Sequence, residues 1–354
     1  MNEPRAHAQA GTNGAAFEAQ AEIHHALLLG MQLGVAVEYD SATVEDWMFR
    51  LFRRQHELKF LSSFDKLGLT GLPDAVACAR YHVLSNSIGG VPVEYMEESD
   101  RKAWVRFRYP RWMYAGPTVC GVPVGVSRGF LRGWYAHNGV SLGNPRLSFV
   151  CVSEDMTGEF GFCGYFREYD EPLDEQGRLK FVSDELPPPF VAEQQLSPPA
   201  GQWSEERLRK AARNYAVEYI RNGVVALRQV LGSAQTSAVV SRCARLIGLQ
   251  YYAATASMIG AHDGGVEAAV QYLARMFEGM GDTVTLISEE ARVAQHGLRI
   301  LRGVDAAADA ELLLQCWGEI WRGAVRSHRA MLDLEWERTG PDTVEWRVFS
   351  RRDD

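Results

Sequence analysis

Hydrophobic and polar positions recur along this chain in two periods, and the points where the period changes predict its elements. From Ile23 to Val37 an apolar run interrupted by His24, His25 and Gln32 predicts an amphipathic helix. Trp47, Phe49, Leu51 and Phe52, then Leu58, Phe60, Leu61 and Phe64, predict a long helix behind a start signal at Thr43, ending near Gly68. The period then shortens to two. Ala103, Val105, Phe107 and Tyr109 alternate with Lys102, Trp104, Arg106 and Arg108, as in a strand with two distinct faces. Near the end of the chain Leu332, Leu334 and Trp336 match Val344, Trp346 and Val348 across a turn at Thr339 to Asp342. The other face of that hairpin carries Asp333, Glu335, Glu337, Glu345 and Arg347, either a solvated sheet face or the lining of a cleft. Leu147 to Val152 and Phe160 to Phe166 read as a further hairpin, and Ser204 caps a helical stretch expected to run to about Ser327.

Punctuation divides this text into domains. Residues 1 to 18, rich in Ala, Gly, Asn and Gln, are expected to be disordered. Residues 19–186 form an N-terminal α+β domain, residues 187–203 a Pro-rich linker, and residues 204–354 a mainly helical domain closed by a hairpin. Between residues 110 and 146, Gly125, Gly129 and Gly133 share one helix face and permit close backbone packing. Rich also in Trp112, Tyr114, Trp134 and Tyr135, the same stretch has the alternative of a lid or binding loop.

One order of elements occurs twice. A helix carrying Cys78 and His82 precedes the hairpin at 93–109, and a helix carrying Cys316 and His328 precedes the one at 331–349. Upstream, aromatic helices end in Gly68 and Gly260. The expectation is an α+β fold: helical layers with antiparallel β-hairpins, in duplicated half-domains around a cleft.

With 354 residues, 46% hydrophobic and 23% charged, the composition is that of a globular protein able to bury a real core. A net charge of -8 without any Lys/Arg block disfavours nucleic acid or an anionic membrane as partner. Six scattered cysteines with no CxxC fit reduced thiols in a cytoplasm. The Ile23–Val37 run is short for a bilayer span and lacks the basic flank of a signal peptide. Expected partners are therefore a small-molecule substrate or ligand, with a homo-oligomer left open.

Cys78 and His82, four residues apart on a helix, share a face, where a thiolate nucleophile and an imidazole base can meet; a buried core pair is the competing reading. Cys316 and His328 are twelve apart and do not touch within one helix. His137 follows Trp134 and Tyr135 in the Gly-rich stretch and is a candidate to face a ligand. His262 and Asp263 offer a weak alternative as a metal or water site, against helix-terminal capping. No HExxH, zinc-type cluster, GxGxxG, P-loop or GxSxG occurs, and no cofactor is evident.

Tyr215 to Arg221, the Gly248 to Tyr252 helix, Cys316 to Trp321 and the closing hairpin together resemble the L-2-amino-thiazoline-4-carboxylic acid hydrolase family of bacterial proteins over about Ser204 to Phe349. The resemblance implies hydrolytic opening of a small cyclic amidine or related C–N ring, and maps no catalytic residue of the family onto this chain. For that reaction Cys78 would be the nucleophile with His82 or His328 as acid/base. Arg106 or Arg128 would clamp a carboxylate, and Trp134 or Tyr251 would stack on a flat ring. The competing expectation is a non-catalytic small-molecule-binding or regulatory module using the same cleft.

Overall fold

The computed structural model describes residues 4–109, 116–157, 161–197, 203–287 and 290–351, with side chains from Gly14 onward. Trp112 and Tyr114 lie outside the described residues. The fold is α+β. The chain forms two compact units, Val35–Leu208 and a second built from Met1–Gly34 with Arg209–Asp354, below called the continuous and the split unit.

Helix α1 (Pro4–Glu38) is far longer than the apolar run that predicts it. The expectation of disorder through residue 18 fails because Ala16, Phe17 and Ala19 are buried, and a Cβ on Gly279 would lie 2.9 Å from Ala16. Apolar contact on one face, which local composition does not report, holds this end of the helix.

The continuous unit contains α2 (Ser41–Lys59), α3 (Phe64–Leu67), α4 (Asp74–Ile88), β1 (Val93–Ser99), β2 (Lys102–Phe107), α5 (Gly125–Gly133), α6 (Asn138–Ser141), β3 (Leu147–Ser153), β4 (Cys163–Glu168) and β5 (Leu179–Phe181). Asp40 is the N-cap of α2, its carboxylate accepting the Thr43 N–H at 2.7 Å, so the start signal lies three residues before Thr43. The sheet order is β1-β2-β4-β3-β5, antiparallel except for β5 beside β3. The period-two reading of β2 holds: Ala103, Val105 and Phe107 are buried on one face, while Trp104 packs with Met96, Val150 and Tyr165 on the other.

The Gly125/Gly129/Gly133 face is a packing face. A Cβ at each would lie 2.6 Å from Ser41 O, 2.4 Å from Glu45 O and 2.6 Å from Phe49 O, so α5 meets the α2 backbone with no side chains between.

In the split unit, α1 is joined by α7 (Glu205–Leu231), α8 (Ser233–Met258), α9 (Val266–Met280), β6 (Thr283–Ile287), β7 (Arg292–His296), α10 (Ala307–His328), β8 (Leu332–Gly340) and β9 (Thr343–Ser350). Ser204 caps α7 as expected, accepting the Arg207 N–H at 3.2 Å. The closing hairpin forms where expected, but its register is shifted by two residues from a direct match of the two apolar triplets, with Leu332 opposite Ser350, Leu334 opposite Val348 and Trp336 opposite Trp346. On its other face Glu335 and Arg347 pair at 3.0 Å in solvent, whereas Asp333 is buried and held by Arg326 at 2.7 Å.

Helices do not continue unbroken to Ser327. The hairpin β6–β7 interrupts them, giving the sheet order β6-β7-β9-β8. Taken from α2 and from α8 onward, and leaving aside the short helices α3 and α6 and strand β5, each unit has the order helix, helix, hairpin, helix, hairpin. Gly68 and Gly260 both stand at positive φ before the next long helix. The Cys78/Cys316 correspondence does not fit the order of elements: by order α4 matches α9, and the 93–107 hairpin matches 283–296. The Pro-rich segment also belongs to a unit, because the Gln195 side chain bonds both the N–H (3.0 Å) and the C=O (2.9 Å) of Tyr95 on edge strand β1.

Candidate functional site

The continuous unit holds a cavity of about 580 Å³ whose wall includes Phe49, Arg53, Arg132, His137, Arg178 and Phe181. Helix α2 supplies Phe49 and Arg53, one turn apart on one face. Helix α5 stops at Gly133, and its last carbonyls need donors that the helix cannot give. Arg53 provides them: its Nε–H donates to Gly133 O at 2.9 Å and its Nη2–H to Arg132 O at 3.3 Å. These bonds fix the guanidinium at the cavity without neutralising it. Arg132 is paired with Glu45 at 2.7 Å. Arg178, from the turn before β5, makes no side-chain hydrogen bond or ion pair among the described residues. Both Arg53 and Arg132 stand over the Phe49 ring, at 5.1 and 5.4 Å from its centroid.

Between α5 and α6 a 3₁₀ turn, Tyr135–His137, carries His137 into the cavity wall. Desolvation, with Arg53 and Arg178 adding repulsion, lowers its pKa to about 4, so the imidazole is neutral at pH 7. His56 lies behind it, ring centroids 5.1 Å apart, and is 1% exposed. Burial and then His137 hold His56 at about 3. Its Nε2–H donates to Asn138 Oδ1 at 3.1 Å, while its buried Nδ1 has no partner among the described residues.

Asn138 continues the path inward. Its amide N–H donates to His82 Nε2 at 2.9 Å, and it also hydrogen-bonds the Cys78 thiol. His82 is 2% exposed and stacks on Tyr135 at 3.8 Å and Phe166 at 5.4 Å. Burial pushes its pKa well below the usual imidazole value. Cys78 is 0% exposed, and burial, reinforced by Asp74, drives its thiol well above the usual range. The Cys78/His82 pair therefore exists, but as a neutral thiol and a neutral imidazole sealed in the core. That is the reverse of an activated thiolate beside an imidazolium.

The remaining candidates are dispersed. Arg128 is bound two-pronged by Glu154, both distances 3.1 Å, and Arg106 is paired with Glu94 at 2.7 Å, so each carries its own counter-charge. Trp134 is a core side chain whose ring lies 5.6 Å from that of His56. Tyr251 and His328 belong to the split unit. There both nitrogens of His328 are committed, Nδ1 to the Tyr252 hydroxyl and Nε2 to Gly264 O at 2.9 Å. Asp263 pairs with Arg329 at 2.7 Å, His262 is exposed, and no group of three or more potential metal ligands occurs among the described residues. A cavity of about 420 Å³ adjoins His262 and Arg275, but the Arg275 guanidinium is bound to Ile259 O (3.1 Å) and Gly260 O.

All six cysteines are free thiols. Among the described residues no helix is long and apolar enough to cross a membrane. Of the residues singled out in the sequence, only His137 lines the 580 Å³ cavity. Arg53, Arg178 and Phe181 are not among the sequence candidates, and Phe49 figures there only as a helix-forming residue. The four-residue step from Phe49 to Arg53 was a usable signal, whereas nothing local marks Arg178 or Phe181 as their neighbours. No protein family, curated protein or solved structure matches this chain.

Proposed function

We propose that the continuous unit is a non-catalytic module that binds a small organic anion. One observation carries this reading: the guanidiniums of Arg53 and Arg178 face one cavity with no carboxylate paired to either among the described residues. Like charges held together in this way repel, and a bound anion relieves that repulsion while gaining charge-assisted hydrogen bonds. The cavity volume suits a small organic molecule.

Hydrolysis of a cyclic amidine is less favoured by the same geometry. It needs an accessible nucleophile and a proton carrier, and the Cys78 thiol is sealed and protonated while His82 is held neutral. His328 lies in the other unit with both ring nitrogens engaged.

The test is a thermal-shift screen of the whole protein with organic anions and cyclic amidines, followed by product analysis. Saturating anion is expected to raise Tm, as any ligand specific to the folded state does, with no conversion of ligand. Product formed by the wild type and lost in Cys78→Ser would overturn the binding reading in favour of the hydrolase.

A further inference from the structure

We infer that the cavity selects a planar aromatic monocarboxylate, its carboxylate held between Arg53 and Arg178 and its ring laid against the aromatic and guanidinium faces of the wall. This rests on the anion-binding reading and narrows it. Two features of the wall carry the narrowing, charge count and shape.

The charge count comes from pairing off neighbours. Three arginines stand in the wall, Arg53, Arg132 and Arg178, with one acidic residue, Glu175. Glu45 neutralises Arg132 from α2. Glu57, exposed on α2, acts on Arg53 ahead of Glu175, so the three arginines stand against three carboxylates, and neutral His137 adds no charge. Arg178 is then the wall cation whose side chain has neither an ion pair nor a hydrogen bond among the described residues, and one such cation in a partly desolvated site matches a monoanion. A phosphate dianion would be left with an uncompensated charge, which is costly away from water.

Shape separates an aromatic acid from an aliphatic one. The volume of about 580 Å³ far exceeds what a lone carboxylate fills. What remains is walled by flat groups: Phe49 beneath two guanidiniums, and Phe181, which is 46% exposed with Arg128 5.5 Å from its ring centroid. Flat rings gain from stacking on phenyl and guanidinium faces, and saturated rings do not. The neutral imidazole of His137, whose side chain makes no hydrogen bond among the described residues, is placed to meet a polar ring substituent.

Calorimetric titration of the whole protein with benzoate, cyclohexanecarboxylate, phenyl phosphate and acetate at neutral pH tests this. Benzoate is expected to bind tighter than cyclohexanecarboxylate by about fivefold or more, the size of one stacking contact. Phenyl phosphate should bind no tighter than benzoate. Arg178→Gln should weaken benzoate by roughly 10–100-fold, the loss of a charged hydrogen-bonding group. Phe181→Leu, at a half-exposed position that folding tolerates, should shrink the aromatic preference and leave cyclohexanecarboxylate within about twofold. Equal affinity for the two ring acids, tighter binding of phenyl phosphate, or indifference to Arg178→Gln in protein of unchanged circular dichroism would each overturn the inference while leaving anion binding standing. Failure of every anion to bind would remove the binding reading itself.

Discussion

From α2 and from α8 onward the two units set out their long helices and hairpins in the same order, around sheets that share a strand order apart from the extra β5. Yet the helices between the two hairpins, α5 and α10, end differently. In the split unit α10 runs unbroken for 22 residues, and its last residue, His328, is tied by Tyr252 and Gly264 O. In the continuous unit α5 stops after nine residues, and the chain resumes as a 3₁₀ turn and α6. Both helices press a glycine face on a neighbouring helix. Gly323 and Gly248 meet the α8 and α10 backbones in one unit, where α5 alone carries three glycines in the other. Three glycines in nine residues weaken a helix by about 1 kcal/mol each, so α5 depends on its contact with α2 and ends where that contact ends. The cavity follows from that break. Free carbonyls at the end of α5 recruit Arg53, and the turn beyond presents His137. The lesson is that the shared order of elements makes no site by itself; the interrupted helix does.

The largest expected effect breaks the helix contacts. A Cβ at position 248 would lie 1.9 Å from Ile320 O and one at 129 would lie 2.4 Å from Glu45 O, both against backbone. Gly248→Val and Gly129→Val should each destabilise by about 3 kcal/mol or more in urea unfolding. If Gly129→Val were neutral, the account of α5 as a helix held by close packing would be wrong.

Acid stability sharpens the comparison next. His24 in the split unit accepts a hydrogen bond from Trp317 at 2.9 Å and is held at about 4 by burial, and His56 in the continuous unit is held at about 3. In the unfolded chain both titrate near 6.5. Between that value and the folded values the unfolded state binds protons that the folded state refuses. Stability is thus intact above pH 6.5 and falls as pH drops toward 4, by about 1.4 kcal/mol per pH unit for each such histidine. Urea midpoints measured from pH 7 to 4 should show the decline, and His24→Gln or His56→Gln should each reduce its slope.

Arg53→Met should cost about 2 kcal/mol, by leaving the Arg132 and Gly133 carbonyls without their charged donor. A variant as stable as wild type would show that α5 ends unaided. Smallest of all, Glu335→Gln on the exposed face of the closing hairpin should stay within about 0.5 kcal/mol, since its pair with Arg347 is solvated.

Legibility in the sequence followed the range of the interaction. Periodicity disclosed the closing hairpin and its two faces but not its register, and glycine spacing disclosed the packing face of α5. The β6 strand, Thr283 to Ile287, is rich in β-branched residues but only five long, and was lost between two strongly helical stretches. Its absence shifted the apparent internal correspondence by one helix and one hairpin. In the site, Cys78 and His82 were correctly placed on one helix face, yet the sequence could not report their burial, which turns a reactive pair into an inert one.

What the sequence alone determined is therefore local: the α+β class, the caps, the strand faces and the glycine face, each set by neighbours within a few residues. Tertiary structure decided which histidines are neutral and that Arg53 and Arg178 lack an ion pair among the described residues. Arg53 and Arg178 are 125 positions apart, and only the folding of a turn beside β5 against the end of α5 brings them to one cavity. Desolvation and charge pairing depend on distances in space, and no pattern along the chain encodes those distances.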